Sequence, residues 1–185
     1  MNYRKWVLVA SLVFAISIGV GILNPAGFSL PLEYIDGLKE LSKILPPGSV
    51  MILLLIFIKN VTAMLISFIF SPFFGIVPLL TLISNGWLIG YVATGVIAEK
   101  SISYLLVGIM PHGIFEIPAL VLAQAAALNF GVGTLLAIFK KSKDRPILTN
   151  FKRSARYLII AIILLIPAAL IETYLTPWLL NLLVT

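Results

Sequence analysis

Five stretches of this chain, residues 6–23, 49–70, 73–98, 113–139 and 157–171, are almost wholly apolar, and between them they carry only Lys59 and Glu116 as formal charges. A helix of about 20 apolar residues matches the roughly 30 Å hydrocarbon thickness of a bilayer. Inside that layer each backbone N–H and C=O must be paired within its own segment, and a helix does so unaided. The predicted fold class is therefore all-α, a polytopic transmembrane bundle of about five spanning helices that forms one integral membrane domain over residues 1–185. Composition closes off the soluble alternative. With 61% hydrophobic and 11% charged residues, the chain has less than half the roughly 25% charged share of a soluble domain.

The first run follows Arg4 and Lys5 and would pass for a secretory signal, but no small-residue cleavage site comes after it. Asn24-Pro25-Ala26-Gly27 reads as the turn that closes a retained first helix. The net charge of +6 is not spread as it would be over a nucleic-acid-binding surface. Seven of the thirteen Lys and Arg fall between Lys140 and Arg156, in the stretch KKSKDRPILTNFKRSAR. Such a bias marks a short cytoplasmic loop facing anionic headgroups. Residues 140–156 are accordingly predicted to be a basic cytoplasmic loop, with the N-terminus cytoplasmic, the C-terminus external and no nucleic acid as partner. The lipid bilayer of the cell membrane is the expected surrounding.

Two segments do not fit simple crossings. In residues 32–45, apolar Ile35, Leu38, Leu41 and Leu45 recur at helical spacing, with Glu33, Asp36, Glu40 and Lys43 on the opposite face; an outer amphipathic helix lying on the membrane is expected. Residues 101–110 are apolar but too short to span, and Pro111-His112-Gly113 follows them. That pattern predicts a short half-helix ending in a break. Glu172, just past the last span, is expected to snorkel to the outer interface beside Tyr174 and Trp178.

Chemistry should lie with the polar side chains inside the spans, because an unpaired charge in hydrocarbon costs at least about 2.5 kcal/mol. These are Lys59 and Asn60 in the second span, Asn85 in the third, and His112, Glu116 and Gln124 along the fourth. His112 and Glu116, four apart, share one helix face with the small residues Ala119, Ala123 and Ala127. Gly86 and Gly90 form a second close-packing pair, and Asn60, Ala63 and Ser67 a third face. The three faces are expected to enclose one buried polar cluster, with Lys59 or His112 balancing Glu116. The alanine stripe is the first choice for a dimer surface, homo-oligomers being common among small bundles.

The stretch Pro111-His112-Gly113-Ile114-Phe115-Glu116-Ile117-Pro118-Ala119 resembles the signature of the stage II sporulation protein M family. Asn60, then Asn85-Gly86 with Gly90, then Pro-His-Gly-x-x-Glu follow the order of those proteins, and the likeness covers most of residues 49–180. Lys59 departs from it, since many relatives carry asparagine there. The resemblance implies a small polytopic membrane protein. In spore formers the namesake works with partner proteins that remodel cell-wall peptidoglycan, so envelope proteins are the partners it suggests.

Three functions are consistent with these features. The first is a non-enzymatic scaffold of a membrane or envelope complex, which is the leading one. The second is a transporter or channel component that uses the polar cluster around Glu116 and His112. The third is a metal-dependent intramembrane hydrolase with a divalent ion on His112 and Glu116. A zinc site wants three or four protein ligands. With one histidine and no cysteine in the chain, the pair reaches that number only through a second copy. No cofactor is otherwise expected, and without cysteine there are no disulfides or thiol nucleophiles.

Overall fold

A computed structural model describes residues 3–24, 48–139 and 147–183. The expected outer amphipathic helix at 32–45 lies outside these residues. Those described are helical, with helix α1 at Tyr3–Leu23, α2 at Val50–Ile69, α3 at Ile76–Glu99, α4 at Ile102–Phe139 and α5 at Ile147–Leu170. A π-helical turn, Ile171–Leu175, and a final helix α6, Thr176–Leu182, carry α5 onward. Five helices are long and apolar enough to cross a membrane, the fifth being the combined element Ile147–Leu182.

Local chemistry fixes several of the ends. Ser49 Oγ accepts the Ile52 amide at 3.3 Å and caps α2. The α2–α3 connection is a tight turn in which Phe74 and Gly75 take positive φ, and the Gly75 amide returns to the Ser71 carbonyl at 3.0 Å. Consequently α3 starts at Ile76, three residues later than the span 73–98 suggests.

Helix α4 corrects the half-helix expectation: Pro111-His112-Gly113 does not break it, and 38 residues run as one helix of about 57 Å. Each of Pro111 and Pro118 removes one backbone donor. Breaking the helix in hydrocarbon would expose several more unpaired groups than the two prolines do, so the helix continues. The basic loop also shrinks, because α5 begins at Ile147 and Lys152, Arg153 and Arg156 are exposed on its first turns. Residues 140–146 lie outside those described. The last span likewise extends past Ile171, since Thr176-Pro177 sits at a helix start, where proline is tolerated.

The long α4 is the axis of the bundle. Ala119, Ala123, Ala125, Ala126 and Ala127 are all fully buried on it. The alanine stripe is thus consumed inside the chain, which corrects its assignment as a dimer surface: no face of those alanines is left for a second copy. At the amino end of α1, Tyr3 stacks on Tyr157 of α5 with ring centroids 3.5 Å apart, and its hydroxyl donates to the Leu122 carbonyl at 2.8 Å.

Candidate functional site

The site is assembled from three elements. His112 and Glu116 lie one turn apart on α4, with His112 Nε2 and Glu116 Oε2 separated by 3.8 Å. From α2, Asn60 Nδ2 donates to Glu116 Oε1 at 3.2 Å. From the π-helical turn comes Glu172: one ligand atom each from His112, Glu116 and Glu172 lie within 4.8 Å of one another. All three side chains are half-buried. Asn60 is the eleventh of the 20 residues of α2, which puts the group near mid-span.

Glu172 was expected at the outer interface and is instead part of this group. Glu172 stands at the start of a widened turn in which the Thr176 amide reaches back to the Ile171 carbonyl, five residues away. A wider turn of this kind lets the helix continue into α6. The signal available in the sequence was that Glu172 is the one acidic residue after Asp144. The apolar run 157–171 was ended just before it.

The remaining candidates divide among separate places. Lys59 makes no ion pair with Glu116 among the described residues; it is exposed on α2 and within electrostatic reach of Glu172. Gln124 lies two turns further along α4, fully buried, where its Oε1 accepts the hydroxyl of Ser67 from α2. Asn85 turns back on its own helix and donates to the Thr81 carbonyl at 2.8 Å. Gly86 and Gly90 pack on α1 rather than on the polar group: a Cβ at Gly86 would strike the Phe14 carbonyl and Ser17, and one at Gly90 the backbone from Ile18 to Ile22. The single expected cluster therefore separates into a His112–Glu116–Asn60–Glu172 group, a Ser67–Gln124 pair and a glycine seam between α1 and α3.

One polar network went unseen in the sequence. Asn129 Nδ2 donates to Asn150 Oδ1 at 3.0 Å and to Ser154 Oγ at 2.9 Å, and Asn150 Nδ2 donates to the Asn129 carbonyl at 3.2 Å. Asn150 and Ser154 fall in the stretch read as a loop, where polar residues draw no notice. Gly133 leaves the room that the Asn150 amide fills.

Comparison with known proteins identifies one family and two relatives. The family described as Stage II sporulation protein M matches residues 9–177. An uncharacterized protein of Methanocaldococcus jannaschii, MJ0706, is 31% identical over 183 residues, covering 94% of this chain and 82% of the relative. A second from the same organism, MJ0793, is 31% identical over 106 residues, 56% of this chain and 59% of the relative. No solved structure matches.

Proposed function

This chain belongs to the stage II sporulation protein M family, and from that premise we propose that it is a non-enzymatic organiser of a membrane or cell-envelope complex. The observation that carries this reading is where the buried polar side chains are spent. Asn60 with Glu116 and Ser67 with Gln124 tie α2 to α4, Asn129 with Asn150 and Ser154 ties α4 to α5, and Tyr3 ties α1 to α4. Each joins two helices, at successive levels along α4. Interhelical hydrogen bonds of this kind are worth about 0.6 kcal/mol each, up to about 1.7, so several in series make a stiff frame. Stiffness suits a platform and opposes the rocking of one bundle half on the other that alternating access requires.

The orientation in this reading follows from charge. The Tyr3–Tyr157 stack brings Arg4 and Lys5 to the end of the bundle that carries Lys152, Arg153 and Arg156. That end is cytoplasmic by the positive-inside rule, so the C-terminus is external. Envelope proteins are then the partners on the outer side.

The test has two arms. Photo-crosslinking from exposed positions such as Trp178 in native membranes should capture a small, reproducible set of envelope proteins. Purified chain in vesicles should pass no protons, alkali cations or divalent cations above protein-free controls. Chain-dependent flux of any of these would sink the organiser reading.

A further inference from the structure

Neither ring nitrogen of His112 has a hydrogen-bond partner among the described residues. Nδ1 is enclosed and unpaired, while Nε2 faces Glu116 Oε2 across 3.8 Å, too far for a hydrogen bond. Two carboxylates, from Glu116 and Glu172, share the same small space. An imidazole with an uncommitted lone pair beside two carboxylates is a cation-binding donor set.

The distances are of the right order. Two ligands held 2.0–2.1 Å from a tetrahedral ion are roughly 3.3 Å apart. The 3.8 Å between His112 Nε2 and Glu116 Oε2 is near that value, and the full set lies within 4.8 Å. The surroundings fit as well. Glu116 uses Oε1 for the Asn60 amide and keeps Oε2 toward His112, the outer contact that orients ligating carboxylates. The π-helical turn supplies the third ligand from another element.

From these relations we infer that His112, Glu116 and Glu172 bind one divalent first-row metal ion, with Asn60 as the positioning residue for Glu116. One nitrogen and two carboxylate donors suit Zn²⁺ or Mn²⁺ better than Mg²⁺ or Ca²⁺, which prefer oxygen throughout. The ion would neutralise the two carboxylates inside the membrane and pin the π-helical turn to α4. This inference uses the helix lock of the organiser reading as its setting, and the two fail separately: a chain that binds no metal can still organise partners, and flux through vesicles says nothing against a bound ion.

The test uses the full chain without a polyhistidine tag, stripped with chelator, in lipid nanodiscs. Because the chain has a single histidine, any imidazole nitrogen on a bound ion must come from His112. Titration with Zn²⁺ and with Mn²⁺ should show one site per chain, and the electron spin echo of bound Mn²⁺ should carry ¹⁴N coupling. Glu172→Gln, which removes a direct ligand, should weaken binding by more than the roughly 10–100-fold expected for loss of an outer partner such as Asn60, while Glu99→Gln, at the exposed end of α3, should leave it unchanged. No binding by the folded wild-type chain, Mn²⁺ bound without ¹⁴N coupling, or equal affinity in Glu172→Gln would each overturn the site. Should Glu172→Gln fail to fold, the ¹⁴N coupling alone decides.

Discussion

Asn60 and Glu116 stand side by side on two helices that run in the same direction, joined by an amide-to-carboxylate hydrogen bond of 3.2 Å. The direction is read from the next contact, in which Ser67 meets Gln124: the partner of a residue further along α2 is further along α4. Two polar contacts two turns apart set the register, because sliding one helix by a turn would break both and leave a carboxylate in hydrocarbon without its donor.

Asn60→Ala should therefore destabilise the chain, and more than a neutral interhelical pair would, since the acceptor is a carboxylate. A double-mutant cycle with Glu116→Gln, measured by denaturant unfolding in mixed micelles, should give a coupling of about 1–2 kcal/mol. Additive losses would show that the bond contributes nothing beyond shape.

A second cycle separates Glu172 from Glu116 as the partner of Lys59. Lys59 lies within electrostatic reach of Glu172, and no ion pair joins it to Glu116 among the described residues. In chelator-treated protein, Lys59→Met and Glu172→Gln should couple by about 0.5–1 kcal/mol, the weak value of a part-exposed pair. Lys59→Met with Glu116→Gln should be additive. The reverse pattern would restore Glu116 as the partner.

What the sequence disclosed was the quantity that lipid constrains most, the apolar spans, and the polar residues that stand out against them. His112, Glu116 and Asn60 could be singled out because each is a rare polar residue in an apolar run, and they do meet. Glu172 was missed because its run ends beside it, where a carboxylate is ordinarily at an interface; it stands at the start of a π-helical turn, which has no sequence signature of its own. Asn150 and Ser154 were hidden for the opposite reason, being polar residues among polar neighbours. Gly86 and Gly90 announced a close approach but not to which helix, because a glycine pair carries no information about its partner.

Topology can be tested on a chain that has no cysteine of its own. Ser101→Cys, between α3 and α4, should react with a membrane-impermeant maleimide added to intact cells. Lys152→Cys, on the exposed first turns of α5, should react only after permeabilisation. Labelling in the reverse order would invert the orientation proposed above.

Glycines on α3 give the sharpest contrast between packing and propensity. A Cβ at Gly90 would meet the Ile18 carbonyl and the backbone of Gly21 and Ile22, none of which can rotate aside, whereas at Gly95, five residues on, it would meet nothing within 4 Å. Gly90→Ala should thus force α1 and α3 apart and cost about 1–3 kcal/mol, the usual penalty for overpacking. Gly95→Ala should be neutral or stabilise the chain by up to about 1 kcal/mol, since alanine is the better helix former. Both are single-methyl changes on the same helix, so unfolding midpoints compared in one detergent isolate the contact with α1. Equal effects at the two positions would mean that α1 does not lie against Gly90, and the seam that orders the amino-terminal half of the bundle would have to be drawn elsewhere.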